Sequence, residues 1–232
     1  MSDFNRTPEA QEVFKSKRKP KGSIKFKISL NEEQKEAKEK ILKKPYTLLR
    51  GAAGSGKTLL ATNIALDLFF KGEIEQIIIT RPTVSKEDIG FLPGDLKDKM
   101  DPWLAPIYDN LYMLYNKDKI EKMLAENQIV IAPFAFLRGR TFCNSVIIVD
   151  ECQNITHNQT ELILGRLGTE SKMIFCGDLR QSDLKFKKDS GISFFTKLEC
   201  ETPDDVQVIN LKKNHRHPAV ERVLKVYEDY QD

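Results

Sequence analysis

Tyr46-Thr-Leu-Leu-Arg-Gly51-Ala-Ala-Gly-Ser-Gly56-Lys57-Thr58 decides the fold, because it joins a short apolar strand to a helix through a loop of the form GxxxxGK[ST]. Leu48 and Leu49 supply a buried strand. Gly51, Gly54 and Gly56 let the turn adopt positive φ, so that the loop, with Ala52, Ala53 and Ser55, brings backbone N–H groups against an anion. The helix starts inside the motif, and its unpaired amides and the positive end of its dipole point at the same phosphate. Lys57 adds a mobile full charge for β- and γ-phosphates, and Thr58 can place its hydroxyl on Mg²⁺. A glycine-rich helix entry with no ligand is the plain alternative, which the strand before and the helix after argue against.

Downstream of this loop the chain alternates apolar runs with helical stretches, the pattern of an α/β fold with a mostly parallel sheet flanked by helices. Leu59 to Phe70 is apolar on most sides, as a helix packed on such a sheet must be. Gln76–Thr80, Gln128–Ala132, Ser145–Val149, Lys172–Cys176 and Val206–Asn210 read as further strands. Arg81 follows the first of these, at the end of the sheet where ligands of open α/β folds bind, and is a candidate for nucleic-acid phosphate; a local pair with Glu87 or Asp88 is its plain role. Ser145–Val149 runs into Asp150-Glu151, a Walker-B signature. Asp150 would hold Mg²⁺, and Glu151 would orient and deprotonate the attacking water. Gly177-Asp178-Leu-Arg-Gln181 ends the next strand, whose place in this class lies between the Walker-B and phosphate-loop strands, so Gln181 would sense the γ-phosphate.

Residues 84–127 form a helical insertion between core strands. Trp103, Ile107, Leu111 and Leu114 recur at helical spacing, and Tyr108, Tyr112 and Tyr115 make a second stripe. Packing of both stripes is one reading. A stripe left outside for a subunit contact or base stacking is the other. Near the C-terminus, Asn214-His-Arg216-His-Pro218 leads into a helix expected to turn Val220, Val223, Leu224 and Tyr227 inward.

Upstream, Asn31 caps a helix running to about Lys43, with Gln34 at the capping-box position. A Leu-Asn-x-x-Gln element just ahead of a phosphate loop also resembles the adenine-reading motif of helicase-like ATPases, in which the amide pairs with the base edge. Ile24-Lys25-Phe26-Lys27-Ile28 alternates apolar and cationic side chains and predicts a half-buried strand with a lysine face. Residues 1–22 read as a flexible basic arm, leaving 23–232 as a single domain. Residues 1–30 carry eight Lys/Arg against three Asp/Glu, giving that stretch +5 and leaving −2 for the rest of a chain whose total is +3. The basic character is an arm, and a polyanion or plain solvation accounts for it equally.

At 232 residues and 40% apolar composition the chain supports one large core, with no apolar run long enough for a membrane span. The opening Met-Ser-Asp-Phe-Asn-Arg lacks the apolar region of a signal peptide, so a cytoplasmic protein is expected. Cys143, Cys152, Cys176 and Cys200 have no CxxC pairing and are expected as reduced thiols.

Taken together, GAAGSGKT, IIITRP, GFLPGD, LRGRTF, VIIVDECQN, FCGDLRQ and NHRHPAVERV closely resemble the PhoH family of P-loop ATPases over about residues 30–230. GFLPGD and LRGRTF ahead of Walker B are the family-specific part. The resemblance implies a RecA-like core of the helicase superfamily 1 type, ATP with Mg²⁺, and action on RNA or single-stranded DNA. Longer relatives carry a nuclease or RNA-binding domain; this chain looks like the short phage-encoded members, which would place it in the host cytoplasm. A lone core has no second domain to close over the nucleotide, so a homo-oligomer, ring-shaped in one version, is expected to complete the site, with Arg138, Arg140 or Arg216 reaching a neighbour's γ-phosphate. A nucleotide-gated RNA-binding switch without strand separation is the alternative, and a small-molecule kinase a third.

Overall fold

Branched apolar residues in short runs build the sheet, and their alternation explains why it is covered on both faces. The structure, a computed structural model, describes residues 25–82, 96–220, 222, 223 and 226. Six strands, β1 (Tyr46–Arg50), β2 (Gln76–Arg81), β3 (Ile129–Pro133), β4 (Ser145–Val149), β5 (Lys172–Gly177) and β6 (Val206–Asn210), form one parallel sheet in the order β3-β2-β4-β5-β1-β6. Consecutive residues go to opposite cores: Leu49, Ile77, Ile79, Val146, Ile148 and Ile174 lie in one cluster, and Leu48, Ile78, Ile147, Val149, Met173 and Phe175 in the other. This is the mark of a parallel sheet buried on both sides. The edge strands β3 and β6 are only half-buried, whereas every residue of β4 is buried.

One face is covered by α1 (Glu32–Ile41), α2 (Lys57–Lys71), α3 (Leu96–Leu114) and α4 (Lys117–Ala125). A short ion pair, Lys38 to Asp67 at 2.6 Å, ties α1 to α2. The other face is covered by the turn Phe134–Leu137 and by α5 (His157–Leu164) and α6 (Phe195–Glu201). The β1–β5 and β4–β5 registers set Arg50 beside Gly177 and Val149 beside Phe175. The phosphate loop, the Asp150-Glu151 pair and the Gly177–Gln181 segment therefore leave the sheet side by side, at the carboxyl ends of β1, β4 and β5.

The helical insertion between β2 and β3 is present as α3 and α4. Ile107, Leu111 and Leu114 are buried, and Tyr112 and Tyr115 pack against the same core, Tyr115 with its ring 4.8 Å from that of Phe70. Tyr108 stacks on Tyr112, so the described members of both stripes are engaged; the Trp103 side chain is not among those described. Gly90–Asp95 lies outside the described residues, as does the arm 1–22.

One expectation fails. Residues 25–30 form no strand, although their exposure does alternate, with Phe26, Ile28 and Leu30 packed on the core and Lys25 and Lys27 outside. The segment lies against the end of α3, where the Lys27 N–H donates to the Leu114 carbonyl at 3.0 Å, so no strand edge pairs with it. Near the C-terminus Val220 is half-buried but Val223 is 55% exposed, contrary to the inward face expected, while Leu224 and Tyr227 lie outside the described residues.

Candidate nucleotide site

Gly54 (φ +85°) and Gly56 (φ +78°) hold the left-handed conformations that the loop requires, and α2 starts at Lys57 directly behind them. A side chain at either would be strained by the positive φ and would displace a neighbour as well: a Cβ on Gly54 would meet Arg216 Cγ at 2.6 Å, and one on Gly56 would meet Gln34 Nε2 at 2.9 Å. The Lys57 ammonium donates to the carbonyls of Gly51 (2.6 Å) and Ala52 (3.2 Å), which parks the charge over the loop it serves. Ser55 closes the turn by donating its N–H to the Ala52 carbonyl at 3.1 Å, and Ala53 lines the cavity in front of it.

Across this cavity of about 320 Å³ stand Asp150 and Glu151. The Thr58 hydroxyl donates to Asp150 Oδ1 at 2.6 Å. Asp150 is only 6% exposed, and burial, reinforced by the Glu151 charge, raises its carboxyl above the ordinary value although the Thr58 hydroxyl and Arg81 pull it down. A buried carboxylate joined to a hydroxyl beside a phosphate cradle is a hard oxygen donor set, which suits Mg²⁺. Among the described residues no group of three or more His, Cys, Asp or Glu is placed to hold a metal alone, so the remaining ligands would come from phosphate and water. Burial pushes the thiols of Cys152 and Cys176 well up, leaving them protonated packing groups beside this pair.

Glu151 sits at φ +49°, a left-handed conformation that costs a non-glycine residue energy and that active sites often hold. Its carboxylate accepts from Gln153 Nε2 at 2.6 Å and faces the Arg81 guanidinium at 3.6 Å. Arg81 therefore pairs with Glu151; Glu87 and Asp88 lie outside the described residues. Gln181 donates from its amide to Asp178 Oδ2 at 3.0 Å. Burial works to raise Asp178, but the backbone N–H of Arg180, the Gln181 amide and the Arg180 guanidinium outweigh it and hold the carboxyl below its ordinary value. Glu151 and Gln181 also form the wall shared with a second cavity of about 450 Å³, lined further by Arg81, Gln153, Asn154, Arg180, Ser182 and Asp183.

The segment after β6 folds back over the phosphate loop, which local sequence patterns do not reveal. Leu211 donates its N–H to the Arg50 carbonyl at 2.7 Å, and both Glu33 carboxylate oxygens accept from the chain, from the N–H of Lys212 at 2.8 Å and of Lys213 at 3.1 Å. His215 then donates its N–H to the Gly54 carbonyl at 3.0 Å, and its Nε2 stands 3.1 Å from Asn31 Nδ2. Arg216 consequently lines the nucleotide cavity of its own chain. Gln34 is buried behind the loop and completes the capping box, its Oε1 accepting the Asn31 N–H at 3.2 Å.

The structure thus gathers Ala53, Gly54, Gly56, Lys57, Thr58, Asp150, Glu151, Gln181 and Arg216 around one cavity, with Gly51, Ala52 and Ser55 in the loop behind it and Gln34 against Gly56. Arg140 is apart from them. It lies on the loop that feeds the amino end of β4, its guanidinium over the Phe142 ring at 4.9 Å, and Arg138 is exposed on the same loop. Glu33, Gln153, Asn110 of α3 and His215 are site neighbours that motif reading missed. Glu33 was legible only as a first-turn acid of α1, and Asn110 as one polar position on an insertion helix.

A family profile described as PhoH-like protein matches residues 27–228. A PhoH-like protein of Synechocystis is 42% identical over 190 residues, 81% of this chain and 58% of that protein. One of Bacillus subtilis is 41% identical over 181 residues, 77% of this chain and 56% of that protein. The chain spans about half the length of the curated relatives it matches. Among solved structures, the Pif1 helicase of Candida albicans is a distant likeness, with a TM-score of 0.47 at 18% identity over 88% of this chain and 44% of that one. Among the described residues no helix is long and apolar enough to cross a membrane. With the phosphate loop, the Asp150-Glu151 pair and Gln181 converging at the carboxyl ends of β1, β4 and β5, and with a profile match over most of its length, this chain is a RecA-like P-loop protein that belongs to the PhoH-like family.

Proposed function

We propose that this chain hydrolyses ATP with Mg²⁺ and couples turnover to binding or remodelling of single-stranded nucleic acid, RNA or DNA. The observation that carries the hydrolytic part is the 2.6 Å contact between Thr58 and Asp150, which sets the loop hydroxyl and a buried carboxylate at one point between Lys57 and Glu151. Mg²⁺, when bound there by Thr58 and Asp150, supplies charge neutralisation for the β- and γ-phosphate oxygens. Lys57 adds a second positive charge to the same oxygens, and the loop amides fix the phosphate chain. Glu151 takes the proton of a water aligned with the γ-phosphorus, as the bond to the leaving ADP breaks. Gln181, which lines the same cavity with its amide bonded to Asp178, is the γ-phosphate sensor. Gln34 is in reach of the loop to read adenine. Arg216, in cis, meets the developing phosphate charge, and in an oligomer Arg138 or Arg140, on the loop before β4, does so from a neighbour. Arg81 and the basic arm are the proposed contacts with nucleic-acid phosphates.

ATP turnover, measured with and without Mg²⁺ and with single-stranded RNA, single-stranded DNA and duplexes, tests this. Lys57→Ala is expected to weaken nucleotide binding, and Glu151→Gln to bind ATP as the wild type does while losing turnover at least about 100-fold. Wild-type turnover by Glu151→Gln at equal ATP occupancy removes Glu151 as the base. A second reading, a nucleotide-gated switch that separates no strands, is favoured by the single sheet of the described residues; strand-separation assays that stay negative while binding responds to ATP identify it.

A further inference from the structure

The catalytic wall continues into a surface that nucleotide chemistry does not use. From Gln181 the chain runs through Ser182, whose hydroxyl donates to the Gln153 carbonyl at 3.0 Å, and Asp183, held by Asn154 through two bonds of 2.8 Å. It then presents Lys185-Phe186-Lys187-Lys188. Phe186 is 51% exposed, with the ammonium groups of Lys185 and Lys188 at 5.5 and 5.6 Å from its ring centre. Nearby Phe194 is 41% exposed, with Lys197 at 5.3 Å from its ring and His157 edge-on at 6.4 Å.

The backbone that carries these rings is held in place. The Asp189 N–H donates to the Phe186 carbonyl at 2.9 Å, His157 Nε2 lies 3.0 Å from the Lys188 carbonyl, and Ser190 bridges to Thr156. Lys197 shares its charge with Glu201 at 3.7 Å, whereas among the described residues Lys185, Lys187 and Lys188 enter no ion pair. Asp189 is the one acid in the same short turn. An open aromatic face flanked by ammonium groups matches a base and the phosphates on either side of it. A duplex hides its base faces, so the match is to an unpaired strand.

We infer that Lys185–Lys188, with Phe194 and Lys197, is a docking platform for single-stranded polynucleotide, on which Phe186 stacks a base. This rests on the nucleic-acid reading above and says where the strand lies: one short segment away from Gln181, beyond the cavity that Arg81 shares with Asp183.

Fluorescence anisotropy of labelled oligo-U and oligo-dT with the full chain, over a range of salt, tests it, alongside a matched duplex. Phe186→Leu is expected to weaken single-strand binding between about 5-fold and about 100-fold while Phe186→Tyr retains it. Replacing Lys185, Lys187 and Lys188 by Gln is expected to flatten the slope of log K against log salt by about 2, at about 0.7 for each phosphate no longer neutralised. ATP turnover without polynucleotide should be unchanged in these variants. Wild-type affinity in Phe186→Leu, an unchanged slope in the triple variant, or preference for the duplex overturns the platform while leaving the ATPase reading intact. A wild-type chain that hydrolyses ATP and binds neither oligonucleotide overturns the platform and the nucleic-acid reading together, and leaves the surface to an acidic protein segment.

Discussion

Asp150→Asn should make the nucleotide-free protein more stable at neutral pH while removing its response to Mg²⁺. Asp150 is nearly inaccessible, and its carboxyl is raised mainly by burial. Taking a carboxylate out of water costs several kcal/mol even after relaxation. The Thr58 hydroxyl at 2.6 Å returns part of that, about 1.5–3 kcal/mol for a hydrogen bond to a charged group. The charged fold is left about 1–3 kcal/mol worse off than one carrying a neutral amide, which can still accept from Thr58. For a domain of this size that is a rise in Tm of roughly 3–10 °C. The sign with pH follows from the raised native pKa. Protonated Asp150 favours the fold, so the wild type has this contribution in full below the unfolded value of 3.8 and loses it as pH rises through the native pKa. The advantage of Asn should therefore be present at pH 7 and shrink toward pH 4. Thermal melts in EDTA at both pH values measure it, and a second series with ATP and Mg²⁺ should raise the wild-type Tm while moving that of Asp150→Asn little. A lower Tm for Asp150→Asn at pH 7, or a difference indifferent to pH, refutes the reasoning.

Two further outcomes are expected. Gly56→Ala places a methyl in a left-handed conformation and against the Gln34 amide, so it should lose about 1–2 kcal/mol of stability and weaken nucleotide binding; melts and nucleotide titration check both. In mixtures of inactive chains, Arg140→Ala with Lys57→Ala should regain turnover if Arg140 acts across a head-to-tail contact, whereas Arg216→Ala with Lys57→Ala should regain none, because Arg216 faces the loop of its own chain. Recovery by the Arg216 mixture would place that residue in trans.

The six strands, the capping box at Asn31 and Gln34 and the convergence of Thr58 with Asp150 were legible in the sequence, because each follows from periodicity or from a loop whose residues fix its geometry. What was not legible depends on partners far along the chain. Phe26 and Ile28 alternate like a strand, yet alternation says only which side is buried, and here an α3 carbonyl receives the Lys27 N–H instead of a neighbouring strand. Arg216 read as a residue reaching a neighbouring subunit, whereas the structure sets it at the cavity of its own chain. Its cis position follows from the Glu33 carboxylate catching the Lys212 and Lys213 amides, a long-range pairing with no local signature.

The strand order also sets a timetable for synthesis. β1, which carries the phosphate loop, lies between β5 and β6, and both are made long after it. While a ribosome is still adding residues 51–171, Leu48 and Leu49 have neither of the strands that will flank them in the sheet. Parallel partners so distant along the chain close slowly, and an apolar strand left open in the meantime is a point for misassembly. The loop also lacks its Asn214–Arg216 cover until those residues, made more than 150 positions after it, emerge. Nucleotide is therefore no chaperone for the earliest stage of synthesis: it meets a covered loop only once residues 214–216 have been made and have folded back.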